Sequence, residues 1–143
     1  MDNIPIVELL IKYLQDDNEV LYKQTLWIVG NLLTETNDII DVLVKYNLME
    51  ALVIGWSKHK NSVDLNKENC WILSNLIATH DEDIMRMFLN NSFLIEMIGQ
   101  CLGCGNILVV SEAIYALANL IACNNLEILH LAIVGRKILN TFT

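Results

Sequence analysis

Proline and glycine are scarce in this sequence, which has one proline and six glycines among 143 residues. Both residues interrupt helices and favour turns, so their scarcity predicts long, uninterrupted helices. Low-complexity segments and linkers are also absent, and 54% of the residues are hydrophobic, which is above the globular norm. The length suits one domain with a substantial core. We therefore predict a single, all-α domain.

Basic residues are few as well, with nine Lys and Arg against 17 Asp and Glu, for a formal net charge of −8. An excess of negative charge repels the phosphate backbone of nucleic acids and favours basic ligands. The chain is therefore expected to have no nucleic-acid partner.

Motifs that carry catalysis are absent, since the sequence has no glycine-rich phosphate loop, no GxSxG and no HExxH. Cys101 and Cys104 form a single CxxC pair, which together with Cys123 and His130 suggests a zinc site. Structural zinc sites normally show two such pairs, so two unrelated cysteines at a helix end are the preferred interpretation. We expect no enzymatic activity, no cofactor and no bound metal.

Uncharged stretches are short, with the exception of residues 97–126, in which Glu112 is the only charge. Three glycines and a helical periodicity interrupt that stretch, so we expect neither a membrane span nor a membrane partner. Residues 1–5 lack the basic and apolar regions of a secretory signal. The four cysteines have no regular spacing, which favours a reducing compartment.

One segment occurs three times at a constant spacing of 44 residues: QTLWIVGNLLTE at 24–35, ENCWILSNLIAT at 68–79 and EAIYALANLIAC at 112–123. An aromatic residue and, four positions later, an asparagine occur in every copy. These residues are Trp27, Trp71 and Tyr115, followed by Asn31, Asn75 and Asn119. Asparagine is unfavourable inside a helix, which suggests that its amide has a specific role. A repeat of this length is typical of armadillo and HEAT solenoids.

Apolar periodicity and capping residues divide the chain into units of a short, a medium and a long helix. The complete units are 37–80 and 81–124, flanked by partial units at 1–36 and 125–143. The predicted helices are 4–14, 19–33, 39–46, 48–58, 63–79, 84–89, 93–102, 108–123 and 126–134, with a further one after residue 135. Three helices per unit favour the armadillo plan over the two-helix HEAT plan. We predict an all-α, right-handed armadillo-type α-solenoid with three-helix repeats of about 44 residues.

The ends of such an array expose apolar surface, because no further repeat covers them. The residues concerned are Ile4, Val7 and Leu10 at one end and Leu129, Ile133 and Ile138 at the other. We expect the chain either to be a fragment of a longer array or to associate with itself through these uncapped ends.

The sequences WIVGNL and WILSNL resemble the Trp-x-x-x-Asn motif that the armadillo repeats of the importin-α family carry on their third helices. The resemblance extends over almost the whole chain. In that family the third helices line a concave groove, in which indoles stack on the lysine stems of an extended nuclear localisation signal. Asparagine amides there hold the peptide backbone. The resemblance implies a protein-import adaptor of the cytoplasm and nucleus that binds basic segments of cargo proteins.

By this resemblance, Trp27 and Trp71 are lysine platforms, and the asparagine of each copy clamps the peptide backbone. Glu35 occupies the position at which the family has an acidic residue that grips the most important lysine. The sequence departs from the family at Tyr115, which replaces a tryptophan, and at Asn47, which stands where the family usually turns with glycine. It also lacks the basic N-terminal segment with which the family binds its carrier, importin-β.

Helix geometry supports the same residues independently, because positions three or four apart share one face. An asparagine amide offers an extended peptide both a donor and an acceptor, and an ammonium above an indole gains roughly 0.5–2 kcal/mol. The predicted peptide-binding residues are Gln24, Trp27, Asn31, Glu35, Glu68, Trp71, Asn75, Glu112, Tyr115 and Asn119.

Plainer interpretations of these residues stay open at this stage. A regular aromatic stripe is often core, the asparagines could bond neighbouring helices to each other, and the glutamates could lie on solvated helix faces. A second class of function is therefore a structural armadillo scaffold, which binds another protein or its own copies.

Overall fold

The computed structural model describes residues 5–123 and 125–130, and this part of the chain contains nine α-helices and no strand. The predicted all-α class is confirmed. The helices are α1 (Pro5–Tyr13), α2 (Glu19–Leu32), α3 (Asn37–Lys45), α4 (Leu48–His59), α5 (Val63–Ala78), α6 (Glu82–Leu89), α7 (Ser92–Leu102), α8 (Ile107–Ile121) and α9 (Leu126–His130). Each lies within a few residues of a predicted helix. The helix expected after residue 135 falls outside the described residues.

Side-chain caps explain why several helices begin where the sequence predicts. Asn18 Oδ1 accepts a hydrogen bond of 3.0 Å from the Leu21 amide at the start of α2. Asp81 Oδ1 accepts one of 3.1 Å from the Ile84 amide at the start of α6. Such bonds satisfy amide donors that have no partner within the helix. Asn47 precedes α4 with φ 67° and ψ 41°, the left-handed conformation that glycine and asparagine tolerate best. Asparagine is thus a physically suitable replacement for glycine at this turn.

The three long helices that carry the repeated segment are neighbours, because α5 packs against α2 on one side and against α8 on the other. The repeated segments are therefore adjacent in the structure. Their buried positions form part of one hydrophobic core that runs through all the described units. The repeated aromatic and asparagine positions lie on these three helices, so the packing of α2, α5 and α8 positions the candidate site.

The apolar ends of the described structure are not where the sequence places them. Val7 and Leu10 are buried, because α1 packs against α2, α3 and α4, and Leu129 is partly buried against the core. The expectation that Val7 and Leu10 form an uncovered end surface is therefore wrong, whereas Leu129 keeps part of its surface exposed. Ile4, Ile133 and Ile138 lie outside the described residues. None of the helices in the described ranges is both long and apolar enough to cross a membrane.

Candidate functional site

An open pocket of about 310 Å³ lies where the three long helices meet, and it collects half of the predicted site residues. Predicted residues from α2, α5 and α8 line it: Trp27, Asn31, Glu68, Trp71 and Glu112. The remaining predicted residues lie outside its lining: Gln24, Glu35, Asn75, Tyr115 and Asn119. We call this pocket the indole pocket.

Lys67 also lines the indole pocket, and sequence reasoning missed it. Its half-buried side chain lies in the same lining as the carboxylates of Glu68 and Glu112. The signal available in the sequence was Lys23, which occupies the corresponding position 44 residues earlier. The pocket therefore has two carboxylates and one ammonium, and it keeps a net negative charge.

Trp71 is half-buried because its indole ring lies against the backbone of α2 at Gly30. A Cβ atom added at Gly30 would collide with the six-membered ring of Trp71. Glycine at this position therefore allows the close approach of the ring to the helix. Trp71 therefore packs between two helices and also lines the indole pocket, while its role in peptide binding stays a prediction.

Trp27 has a different environment, with 45% of its surface exposed. The ammonium of Lys23 lies 5.8 Å from the centre of its ring, within cation–π range. Trp27 is therefore partly exposed, and a lysine of the chain itself lies over its ring. Trp56, by contrast, is buried and donates a hydrogen bond of 3.2 Å from Nε1 to Asn66 Oδ1. Trp56 is a packing residue, as its lack of counterparts in the repeat indicates.

Two of the three repeated asparagines connect neighbouring long helices. Asn75 Nδ2 donates to the carbonyl oxygen of Gly30 at 3.2 Å. Asn119 Nδ2 donates to the carbonyl oxygen of Ser74 at 3.2 Å and to its Oγ at 3.1 Å. The interpretation as inter-helix bonds therefore holds for both. Asn31 is exposed, and within the described residues its side chain has no hydrogen bond. A role of these amides in holding a peptide stays a prediction.

Tyr115 is separated from the indole pocket, since it lines a second and mainly apolar pocket on the outer side of α8. Its side chain is 62% exposed. Gln24 is exposed on α2, whereas Glu35 is exposed in the turn that follows α2 and is not on its helical face. The residues that spacing predicts to share one stripe therefore divide between distinct surfaces.

The cysteines do not assemble in the way that the zinc interpretation requires. Cys101 lies beside Cys70 of α5, and both are free thiols. The hydrogen bond between the two thiols, together with burial, raises the pKa of Cys70. Cys104 is exposed, whereas Cys123 is buried. Among the described residues, no group of three or more His, Cys, Asp or Glu side chains is placed to hold a metal ion.

Comparison with known proteins adds no identification: the chain matches no protein-family model and no curated protein.

Proposed function

We propose that this chain is a non-enzymatic, importin-α-like adaptor that binds lysine-rich nuclear localisation signals in an extended conformation. In this proposal α2, α5 and α8 are third helices of a right-handed armadillo solenoid, and the peptide crosses them in turn. The observation that carries the proposal is the indole pocket, in which Trp27 and Trp71 converge with Glu68 and Glu112. Its function would be the capture of cargo for nuclear import.

The pocket has the chemistry that a lysine side chain requires. The apolar stem of a lysine packs on an indole face, and its ammonium is attracted by the ring and by nearby carboxylates. Lys23 above Trp27 is an intramolecular example of this contact. Glu68 and Glu112 supply negative charge from the two neighbouring helices. The overall charge of −8 favours the approach of a basic segment from solution.

The geometry of packed helices fits an extended peptide. Neighbouring helices lie roughly 8–10 Å apart, and an extended chain advances about 3.3 Å per residue. Every third peptide residue would therefore reach the next long helix. Asn75 uses an N–H to bond Gly30, which orients the amide and leaves its oxygen available to a peptide N–H. The inter-helix bond and the peptide clamp are compatible functions of one side chain.

The direct test is titration of a fluorescently labelled lysine-rich peptide with the whole chain. We expect binding that weakens clearly from low to high ionic strength, because screening reduces the attraction between ammonium and carboxylate. A peptide with every lysine replaced by glutamine should not bind. Equal binding of both peptides, or binding that is insensitive to salt, would instead support a scaffold that recognises partners through apolar contacts.

Trp27→Ala should weaken binding of the lysine-rich peptide about tenfold or more, since aromatic contact residues commonly contribute over 1 kcal/mol. Its effect on the melting temperature should be small, because the side chain is 45% exposed. Phe93→Ala is the matched control, as this aromatic residue is 57% exposed and lies on α7. Peptide affinity that is unchanged in Trp27→Ala, or reduced equally in Phe93→Ala, would contradict the assignment of the indole pocket.

Lys67→Gln should strengthen binding of the same peptide at low ionic strength, by a factor of a few. The substitution removes the positive charge that competes with a ligand lysine beside Glu68 and Glu112. Lys45→Gln makes the same change of net charge at an exposed position of α3 and should have little effect. The gain should disappear at high salt, where charge effects are screened. A weaker complex with Lys67→Gln would show that the pocket does not bind lysine.

A further inference from the structure

Corresponding positions of the three long helices differ in exposure, and the differences lie at the two outer helices. In α2, Ile28 is 49% exposed, whereas the residues 44 and 88 positions later, Ile72 and Ala116, are buried. Asn31 is exposed in α2, whereas Asn75 makes its bond to the preceding helix. Ile28 and Asn31 therefore lie on one face of α2. The corresponding face of α5 is the one that packs against α2.

The opposite difference occurs on α8, where three positions are exposed although their counterparts in α5 are buried. These are Ile114, Ala118 and Ile121, which correspond to Cys70, Ser74 and Ile77. Ser74 accepts the amide of Asn119, so this side of α5 is the one that receives α8. α8 therefore presents to solvent the kind of face on which the next long helix of the series would lie.

We propose that a second copy of this chain docks head to tail, with the exposed face of its α2 on the exposed face of α8. We call this contact between α8 of one copy and α2 of the next the joint. Both complementary faces belong to the same chain, and the joint would repeat the packing of α5 against α2 and of α8 against α5. A second copy is thus favoured over an unrelated partner. The proposal does not depend on peptide binding.

The contacts expected at the joint follow those that α5 makes with α2. The indole of Trp71 lies on Gly30, and Asn75 donates to the Gly30 carbonyl. The position that follows Gly30 and Ser74 in the repeat is Ala118, which lines an open pocket of about 380 Å³ with Ile114 and Tyr115. The small residue leaves space for an aromatic ring. In the joint, Trp27 of the second copy fills this pocket, and its Asn31 donates to the Ala118 carbonyl.

An interface between two different faces does not close on itself, so repeated association produces open chains rather than a symmetric dimer. The joint is mainly one helix against another and is therefore weak. Each copy carries a charge of −8, so copies repel each other at low ionic strength. Added salt screens this repulsion and should strengthen association, which is the opposite of its effect on a lysine-rich peptide.

The test is sedimentation velocity of the whole chain without peptide, over a range of protein concentrations and salt. The average mass should increase with both variables. Ala118→Glu places a charge in the joint and should keep the protein monomeric under every condition. Ala78→Glu makes the same substitution at an exposed position of α5 whose counterparts, Thr34 and Ala122, are also exposed, so it should associate like wild type. A wild-type chain that stays monomeric at the highest concentration would overturn the proposal.

Mixing two variants tests the head-to-tail arrangement. Trp27→Ala damages only the α2 face and Ala118→Glu only the α8 face, so each alone should be monomeric. Their mixture retains one good joint and should form dimers but nothing larger. Self-association of Trp27→Ala alone would indicate that α8 pairs with α8, and the proposed joint would be wrong. A fall in the melting temperature of Ala118→Glu well beyond that of Ala78→Glu would show that the chain itself covers this face, which also overturns the proposal.

Discussion

Replacing Trp71 with alanine should lower the free energy of unfolding by about 2–4 kcal/mol, because the ring fills the space between α2 and α5. The ring packs on the backbone at Gly30, where a Cβ atom would collide with it. The same substitution removes half of the aromatic lining of the indole pocket, so binding of a lysine-rich peptide should fall below detection. Chemical denaturation with and without peptide measures both effects.

Comparison with Trp27→Ala separates the structural part of this effect from the binding part. Trp27 is exposed, and within the described residues its ring does not pack on a glycine as Trp71 packs on Gly30. Its removal should therefore reduce binding with little change in stability. A Trp71→Ala protein that unfolds at the wild-type denaturant concentration would show that the ring does not hold the two helices together. If it also bound peptide normally, the indole pocket would have no role in recognition.

Alkaline pH should destabilise the protein through Tyr22, which is buried and has its pKa raised by burial from 10.0 to about 12. The ionised phenol is disfavoured in the folded state, so the unfolded chain loses this proton first. The contribution of the neutral Tyr22 phenol to the free energy of unfolding is therefore complete below pH 10. It is lost as the pH rises from about 10 to 12. The shift corresponds to roughly 2–3 kcal/mol. Denaturation curves at successive pH values measure it.

The contacts of Tyr22 place its phenol in the core, where burial raises its pKa more than the hydrogen bond with Asn69 lowers it. Its hydroxyl donates to Asn69 Oδ1 at 3.2 Å and accepts from Asn69 Nδ2 at 2.9 Å. Its ring stacks on His59 with 4.2 Å between the centroids. Tyr22→Phe should lose about 1–2 kcal/mol at neutral pH through the unpaired amide, but its stability should fall less between pH 10 and 12.

Tyr115→Phe is the control, because it removes a hydroxyl at an exposed position, and its denaturation curves should follow those of the wild type. The difference between wild type and Tyr22→Phe isolates the contribution of the phenol. Parallel curves for these two proteins from pH 9 to 12 would refute a role for Tyr22 in alkaline unfolding.

The helices and the repeat could be predicted from the sequence because both depend on neighbours along the chain. Periodic apolar residues define a helix, a capping side chain such as Asn18 or Asp81 bonds an amide three residues away, and Asn47 tolerates a left-handed backbone. The spacing of 44 residues likewise indicates which positions correspond between units. These features depend on residues within a few helical turns of each other or on the spacing of the repeat.

The division of the stripe between surfaces depended on tertiary packing. Spacing alone predicted that Trp27, Trp71 and Tyr115 are equivalent, yet the indole pocket contains the first two and excludes the third. Helix α5 has another long helix on each side, whereas α2 and α8 have one each, so equivalent side chains acquire different exposure. Asn75 and Asn119 found acceptors 45 residues away in sequence, and no local pattern encodes such a distance.

The sequence by itself determined the all-α class, the helix positions and the residues that share a helical face. Only the tertiary structure decided that Trp71 rests on Gly30, that Lys67 lies among the pocket carboxylates, and that Val7 and Leu10 are covered. The physical reason is the range of the interactions. Helix formation depends on contacts between residues three or four apart, whereas burial and pocket lining depend on which helices pack together and on the rotation between them.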